Sequence, residues 1–331
     1  MKILFKVTKG LAILTTSAFF LAGCGGGGGN SQSRGGGQSS GEGTIPSAST
    51  SSIQGQSLGS SRDSVLYGNA DSRGNIYATG YTKANLDGNT NAGGSDILLV
   101  KYDSSFQREW TKLFGTPSND VGTGLAIDNG DNVYVIGGTR GDLEGNANAG
   151  GIDVFLMKFD ASGNKMWTIL AGTSMNEYAT DIVIGSRGNI YVSGITYGHL
   201  DGNANAGQSD IFLMKFDAAG NKLWTRLFGT TENDYGNAIT ADSSDNIYVV
   251  GGTHASLDGH TNAGGIDLFV MKFNSSGTKQ GNLFMGTSLN EVGTGIVADG
   301  SGKVYVVGYI YDPLIGTPNI EFRYFSDEIW M

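Results

Sequence analysis

The stretch NIYVSG, residues 189–194, opens the unit that decides the fold. The same unit continues through LDGNANAGQSDIFLMKFD (200–217) and NKLWTRLFGTTEND (221–234) to YGNAITADSSD (235–245). Its opening motif recurs at a constant spacing of 57 residues, starting at Asn75, Asn132, Asn189, Asn246 and Lys303. Because no insertion interrupts that spacing, the chain after residue 62 is interpreted as tandem copies of one structural unit.

Each copy contains four short runs rich in β-branched and aromatic residues, which we name strands A to D. In the third copy they cover residues 178–184, 189–194, 210–216 and 223–228. Turns of the form D-x-x-x-N, such as Asp160 to Asn164, usually with glycine in fourth place, join A to B and C to D. This turn chemistry predicts two antiparallel hairpins per unit. Such units bury both faces only by stacking face to face.

A ring of stacked four-stranded sheets is a β-propeller, so the sequence predicts an all-β propeller. An open solenoid is the alternative. Strand B occurs five times, which predicts five blades near residues 63–119, 120–176, 177–233, 234–290 and 291–331. We expect Ile53 to Leu58, which lies in the register of strand D, to complete the last blade, because unlocked rings leave strand edges exposed. A truncated seven-bladed array is the rival interpretation.

These repeats resemble the bacterial β-propeller repeats called SBBP repeats. The resemblance rests on D-x-x-G-N-[IV]-Y-V-x-G, on G-x-x-D-[IV]-F-[LV]-x-K-[FY]-D and on W-x-x-x-[FL]-G-[GT], and it covers about residues 63–310. It implies the propeller fold and an envelope protein, since members are mostly uncharacterised proteins of the cell envelope. The family name implies seven blades, whereas five units are counted here.

The N-terminus is typical of an exported lipoprotein. Lys2, Lys6 and Lys9 precede an apolar run from Gly10 to Leu21 that is too short to span a bilayer. The run ends in LAGC, which resembles the bacterial lipobox and predicts a signal peptide over residues 1–23 with lipid, including palmitate, on Cys24. A chance cysteine after an apolar run is the alternative.

Residues 24–62 predict a flexible tether after the lipidated cysteine. From Gly25 to Arg62 the chain is dominated by Gly and Ser, a composition that cannot bury enough apolar surface to fold. Gly25, rather than Asp, after the lipidated cysteine resembles lipoproteins sorted to an outer membrane. We therefore expect a location in the bacterial cell envelope, with the lipid anchor in that membrane.

The composition and net charge of the chain limit the classes of partner that it is expected to bind. The chain of 331 residues contains 55 glycines and has a formal net charge of −10. Removal of a signal peptide with its three lysines leaves 31 acidic and 18 basic side chains, a net charge of −13. That balance argues against nucleic acid or an anionic membrane surface as partner. We expect one domain and a monomer.

Aromatic and lysine positions recur with the repeat and are interpreted first as structural. We expect the tryptophans to pack between blades beside the strand-B tyrosines, with carbohydrate stacking as the alternative. The strand-C lysines are expected to pack their stems and send their amines to a loop carboxylate or to solvent. The tryptophans are Trp110, Trp167 and Trp224, the tyrosines are Tyr77, Tyr134, Tyr191, Tyr248 and Tyr305, and the lysines are Lys101, Lys158, Lys215 and Lys272.

The D to A and B to C connections are expected at one end of the sheets, which we call the upper face. Each D to A connection ends in an acid next to the innermost strand, which predicts a ring of carboxylates at the channel mouth. Like charges so placed raise their pKa values or recruit a cation, and solvated loop-capping acids are the alternative. The ring would contain Asp63, Asp120, Glu177, Asp234 and Glu291.

The B to C loops carry oxygen side chains at positions 1, 3 and 5 and a later carboxylate, a spacing that suits calcium. The alternative is a set of Asx-turns that stiffen the loop. Calcium is the one cofactor that the sequence suggests. The candidate ligands are Asp87, Asn89, Asn91 and Asp96; Glu144, Asn146, Asn148 and Asp153; Asp201, Asn203, Asn205 and Asp210; and Asp258, Asn262 and Asp267, with His260 in the third position of that loop.

The sequence shows no catalytic constellation. The non-repeated candidates are His199, His254 and His260, on loops of adjacent blades that are too far apart to share a ligand. We therefore expect a lipid-anchored binding module that acts through an acidic upper face, toward an envelope protein or a glycan. A glycan-active hydrolase or lyase and a lectin with one site per blade are the alternatives.

Overall fold

The computed structural model describes residues 64–299, 302–311 and 318–325, and the side chains of residues 67–299 and 302–311. Its regular elements are β-strands. Sheet 1 contains β1 Ser64–Ala70, β2 Ile76–Thr82, β3 Asp96–Tyr102 and β4 Arg108–Phe114. Sheet 2 contains β5 Asp120–Ile127, β6 Val133–Thr139, β7 Asp153–Phe159 and β8 Lys165–Ala171.

Sheet 3 contains β9 Glu177–Ile184, β10 Ile190–Thr196, β11 Asp210–Phe216 and β12 Lys222–Phe228. Sheet 4 contains β13 Asp234–Ala241, β14 Ile247–Thr253, β15 Asp267–Phe273 and β16 Lys279–Met285. Sheet 5 contains β17 Asn290–Ala298, β18 Val304–Tyr311 and β19 Pro318–Phe325. In each sheet the strands pair antiparallel in chain order, as the two predicted hairpins and their connection require.

The hairpin turns form as their residues predict. In the turn from β7 to β8, Asp160 N donates to Asn164 O at 3.0 Å, and Gly163 adopts φ 79°. A left-handed residue in that place is what closes the turn, and glycine adopts it without a Cβ clash. Asp131 and Asp245 take the same place with φ of 60° and 61°.

Apolar rows of neighbouring sheets interlock to form the core. Tyr134 and Ile136 of β6 share one buried cluster with Ile190 and Val192 of β10 and with Phe212 of β11. The innermost strands pack in series, β1 on β5, β5 on β9, β9 on β13 and β13 on β17. The face-to-face stacking of four-stranded sheets confirms the all-β propeller prediction and excludes a solenoid of parallel coils.

A polar residue at the bulge of three innermost strands ties its sheet to the next. Thr123 Oγ1 donates to Ala179 O at 2.8 Å, and Thr180 Oγ1 donates to Gly236 O at 2.6 Å. Asn237 repeats the contact with Gly293 O in the following sheet. Each bond joins the innermost strands of two neighbouring sheets, so it fixes the spacing between those blades.

Five sheets follow one another in the described part of the chain, in agreement with the five predicted units. Among the described residues, the innermost strands pack in series from β1 to β17, but β17 does not pack in the same way against β1. Several predictions fall on residues outside those ranges and stay predictions. They are the closure by Ile53 to Leu58, the signal peptide, the tether, the lipid on Cys24 and the place of Asp63 in the carboxylate ring. The described residues include no helix capable of crossing a bilayer.

Candidate functional site

The recurring tyrosines, tryptophans and lysines form the contacts between blades. The rings of Tyr134 and Trp167 meet edge to face with centroids 6.0 Å apart. Gly220, in the hairpin of the next sheet, adopts φ 92°, and a Cβ there would lie 2.8 Å from Ile169 Cδ1 and 3.3 Å from Trp167, so a larger residue would be strained. Lys158 Nζ lies 4.9 Å from the Tyr134 centroid and donates to Ala218 O of the same hairpin at 3.2 Å. The lysine therefore reaches a backbone carbonyl of the next blade, not a loop carboxylate.

The carboxylate ring differs from the sequence-based expectation, because its described members are buried. Asp120, Glu177 and Asp234 are 0% exposed and Glu291 is 4% exposed. The side chain of each folds back onto its own loop, so these four described acids do not form an open ring of charge.

Hydrogen bonds explain why each of these acids is tolerated inside. Asp120 Oδ2 accepts from Thr116 N at 2.6 Å and from Thr116 Oγ1 at 2.9 Å, and its other oxygen accepts from Thr139 Oγ1. The Asp120 amide donates to Ser95 O of the preceding sheet. A buried carboxylate with this many donors is a loop cap between two blades. The acids therefore join sheets and do not provide an acidic upper face.

The proposed calcium ligands of each B to C loop point to different partners. In the first loop Asp87 accepts from Arg108 Nη2 at 3.0 Å and from Thr111 Oγ1 at 2.5 Å. Asn91 Oδ1 accepts from the amide of Gly93 at 3.0 Å. Asp96 is the closing acid of the same loop, and its Oδ2 accepts from Ala92 N at 2.8 Å.

The third-position asparagines are likewise engaged. Asn89 Nδ2 donates to Leu86 O at 3.0 Å and to Thr111 O at 3.1 Å, and Asn146 and Asn203 repeat the bond to their own loops. The bond from Gly93 N to Asn91 Oδ1 is an Asx-turn, and the Asn89 bonds tie that side chain to its own loop and to β4. Within the ranges described, no group of three or more His, Cys, Asp or Glu side chains is arranged to hold a metal. Calcium binding stays a prediction.

The three histidines lie in three separate environments. His199 Nδ1 accepts from Asn205 N at 2.9 Å, and its role is to stiffen its own loop. His254 meets the ring of Tyr235 with centroids 5.8 Å apart. His260 stacks on Phe284 at 4.3 Å with an interplanar angle of 4°. The histidines do not converge on a shared site.

An aromatic patch, which sequence reasoning missed, crosses the upper face of sheets 3 and 4. We define it as Tyr178, Tyr197, Tyr235 and His254. Tyr178 and Tyr197 meet edge to face at 6.3 Å and are 37% and 38% exposed. Tyr178 and Tyr235 lie on β9 and β13, innermost strands that pack on each other, so the two ring pairs belong to neighbouring sheets.

The surroundings of Tyr235 raise the pKa of its hydroxyl. Burial raises the pKa of the Tyr235 hydroxyl, and the nearby Tyr197 hydroxyl and the Asp234 carboxylate raise it further. Tyr235 therefore stays protonated at neutral pH and can donate a hydrogen bond. The patch is a surface of rings with hydroxyl donors at its edges.

The signal for this patch was present in the sequence as a departure from the repeat. Other units carry Val121 and Val292 where Tyr178 and Tyr235 stand. Where Tyr197 and His254 stand, the other units have Lys83, Arg140 and Tyr311. An aromatic pair in two adjacent units therefore has no role in the shared blade architecture. Comparing units position by position, with attention to unshared aromatic residues, would have found it.

Two segments, residues 109–144 and 223–258, match the family pattern of the SBBP beta-propeller repeat. The chain carries SBBP beta-propeller repeats. Both matches run from strand D of one sheet, through the D to A connection, to the B to C loop of the next sheet. The SBBP repeat thus spans a junction between blades, which is where the buried acids and the stacked aromatic rings lie.

Among curated proteins, the chain is similar to the regulatory protein FlaEY of Caulobacter vibrioides, with 30% identity over 192 residues. That alignment covers 52% of this chain and 20% of FlaEY. A WD repeat-containing protein of Acanthamoeba polyphaga mimivirus is 23% identical over 226 residues, which are 55% of this chain and 16% of that protein. The chain thus matches about a fifth or less of the length of these relatives.

Solved structures with similar folds include an ulvan lyase, a polysaccharide lyase. It has 10% identity and a TM-score of 0.48, and the alignment covers 78% of this chain and 66% of that one. A gluconolactonase from Xanthomonas campestris has 8% identity and a TM-score of 0.43, with 78% and 72% covered.

Proposed function

We propose that this SBBP-repeat protein is a lipid-anchored ligand-binding module of the bacterial cell envelope. The aromatic patch is the observation that carries the proposal. Rings left exposed beside one another are unfavourable in water and are found where a partner covers them. Among the five units, those of sheets 3 and 4 have an aromatic side chain at both positions, so the blade architecture alone does not call for the pair.

The patch favours one binding site over a site on each blade. Sheets 1 and 2 place Lys83 and Arg140 where the patch places Tyr197 and His254. A lectin with one sugar site per blade would need the same side chains in every unit. The ligand is therefore expected to lie across sheets 3 and 4, at one position on the upper face.

The anchor is supported by the sequence. LAGC at residues 21–24 supplies the acceptor sulfur, and the 38 residues from Gly25 to Arg62 supply a Gly- and Ser-rich connection to the first sheet. A flexible chain of that length reaches roughly 31–37 Å on average, enough to hold a domain clear of lipid headgroups. Two or more acyl chains on Cys24 would make the attachment stable.

The binding proposal is tested with a double variant, Tyr178→Ala with Tyr197→Ala. The purified protein is screened against an array of bacterial glycans and against solubilised envelope proteins, and the variant is compared with the parent on each hit. We expect at least about a tenfold loss of affinity, because exposed aromatic anchors dominate such interfaces. Met166→Ala is the matched control, since Met166 is 56% exposed on β8. Equal losses in the control and the double variant would disprove a role for the patch.

The location proposal is tested separately with Cys24→Ala. We expect the parent protein in the membrane fraction, labelled by a palmitate analogue, and the variant unlabelled and released. Export of parent protein that carries no lipid would contradict the anchor and leave the binding proposal standing.

A further inference from the structure

A cavity of about 370 Å³ opens between sheets 4 and 5. We call it the junction cavity. Its walls include the apolar side chains Phe284 and Ile310, and its polar groups come from His260, Glu291 and Tyr309. Its size falls in the range of small-molecule sites, which combine apolar walls with a few polar groups. The cavity lies outside the aromatic patch and is independent of the function proposed above.

One substitution removes a hydrogen-bond donor from Glu291. In sheets 2 and 3 the threonine that ends strand B donates to the buried acid, as Thr139 does to Asp120 and Thr196 does to Glu177 Oε1. Sheet 5 has Ile310 at that position, and Ile310 lines the junction cavity. Glu291 keeps the amide and the hydroxyl of Thr287 as donors. A buried carboxylate therefore has fewer donors here, next to open space.

A second substitution places a ring beside the same space. The first three B to C loops have Asn89, Asn146 and Asn203 where the fourth has His260. His260 stacks flat on Phe284, and its Nε2 lies 3.3 Å from Asp267 Oδ2. The stacked pair forms a flat aromatic wall of the junction cavity.

Asp267 adds a second buried carboxylate behind that wall. It is 0% exposed, and a Cβ built on Gly286, which lines the cavity, would lie 2.3 Å from Asp267 Oδ1, so the carboxylate lies directly behind Gly286. Its Oδ1 has no donor among the described residues, and the same holds for the equivalent Asp96, Asp153 and Asp210. That feature therefore belongs to the blade itself, and what distinguishes this junction is Ile310 beside Glu291 and the ring of His260.

We propose that the junction cavity binds a small organic ammonium ion with an apolar body. Its N–H groups replace the donor that Glu291 lost to Ile310, and its apolar part packs on the stacked rings of His260 and Phe284. The carboxylate of Glu291 makes that end of the cavity negative, which selects a cation over a neutral molecule of the same shape. The apolar walls favour an organic cation over a bare metal ion, which needs six or more oxygen ligands.

The test uses the full chain and two probes of nearly the same shape, 2-phenylethylammonium and neutral 2-phenylethanol. Binding is measured by ligand-observed NMR and by titration calorimetry at neutral pH. We expect 2-phenylethylammonium to bind at least about tenfold more tightly than 2-phenylethanol, since a charge-assisted hydrogen bond is worth about 1.5–3 kcal/mol. Equal affinity for the two probes, or no binding of either, would overturn the proposal.

Two variants locate the bound probe. Glu291→Gln removes the charge, and Ile310→Thr restores the hydroxyl that sheets 2 and 3 provide to their acids. Both are expected to weaken 2-phenylethylammonium binding, by about tenfold and by several-fold respectively. The matched control is Glu177→Gln, the equivalent acid of a junction in which Thr196 is present. A thermal melt of each variant confirms folding.

Ile310→Thr keeps the test decisive if Glu291→Gln does not fold, because it introduces a residue that the repeat already uses. Weaker binding in the sheet 5 variants with unchanged binding in the control supports the proposal. Unchanged affinity in the sheet 5 variants, or the same loss in the control, overturns it.

Discussion

Sheets 2 and 5 are built from the same repeat, yet the structure uses equivalent residues differently in them. Tyr134 and Tyr305 are equivalent, and each hydroxyl donates to the acid that begins its A to B turn, Asp128 at 3.0 Å and Asp299 at 3.2 Å. Tyr134 is 1% exposed because sheet 3 covers it, whereas Tyr305 is 36% exposed. The bonds within a unit are therefore preserved where the packing between units is not.

The same contrast holds for the buried acids. Asp120 of sheet 2 has the hydroxyls of Thr116 and Thr139 as donors, and Glu291 of sheet 5 has Ile310 in the second place. In sheet 2 both carboxylate oxygens of Asp120 accept from these donors. In sheet 5, Ile310 in place of the threonine leaves Glu291 able to accept a further hydrogen bond, with the junction cavity beside it. Departures from the repeat are thus where function is to be sought.

The largest effect expected from this comparison comes from truncating the two equivalent tyrosines. Tyr134→Ala should lower the free energy of unfolding by about 3–5 kcal/mol, because it leaves a cavity in a fully packed junction. Tyr305→Ala should cost about 1 kcal/mol or less, since that ring is already partly in water. Urea denaturation followed by circular dichroism measures both. Equal costs would mean that the outer face of sheet 5 is covered in solution.

The comparison also shows how much of the fold the sequence determines. The D-x-x-x-N turns and the alternation of apolar residues predict strands within a residue or two, as at 210–216, which is β11 without change. These signals are local, and the period of 57 residues repeats them, so errors at one copy are corrected at another. Packing between sheets follows because strands B and C are buried on both faces, as in β6 and β7.

The candidate sites were less predictable, since they depend on where a side chain points. The carboxylates of the ring were expected around a channel mouth, but Asp120 and its described equivalents turn inward to cap loop amides. The oxygens of the B to C loops have the spacing of calcium ligands, but Asp87 accepts from Arg108 and Thr111 and Asn91 accepts from the Gly93 amide. Spacing along the chain does not report those directions.

The next effect concerns the hydroxyl that sheet 5 lacks. Thr139→Val should cost about 1–3 kcal/mol, because it leaves an oxygen of the buried Asp120 without a donor. Ile310→Thr is the reverse change and should cost less than that, since the new hydroxyl can donate to Glu291. Thermal and urea unfolding of both variants provide the comparison. A cost for Thr139→Val below about 0.5 kcal/mol would show that the threonine bond does not stabilise the junction.

A smaller effect should appear as a dependence of stability on pH. Asp181 of β9 stands where sheets 2 and 5 have Gly124 and Gly295. Burial raises the pKa of its carboxyl to about 6, although it accepts from the amides of Ile239 and Ile182. Because the folded state then binds a proton more readily than the unfolded chain, the unfolding free energy should rise as pH falls from about 7 toward 4.

Removing the titrating group measures that contribution. Asp181→Asn should flatten the curve of unfolding free energy against pH in this window, by on the order of 1 kcal/mol once solvent screening is allowed for. The matched control is Asp217→Asn, since the pKa of Asp217 is lowered by its bonds to Asn221 and does not titrate near 6. A parent curve that falls with decreasing pH over the same range, and keeps that slope in Asp181→Asn, would contradict the assignment.

The smallest expected effect is that of calcium on stability. In sheet 2 the first loop acid, Glu144, forms an ion pair with Lys165, and Asn148 Oδ1 accepts from Gly150 N at 2.9 Å. Calcium would have to displace such bonds in each of four loops before gaining its own. We therefore expect melting in several millimolar calcium and in chelator, at matched ionic strength, to differ by less than about 2 °C. Because four weak sites that bind only the folded state would together raise the melting temperature by on the order of 10 °C, a rise of that size would establish the loops as calcium sites. Magnesium at the same concentration is the control, because it accepts an irregular oxygen cage far less readily than calcium does.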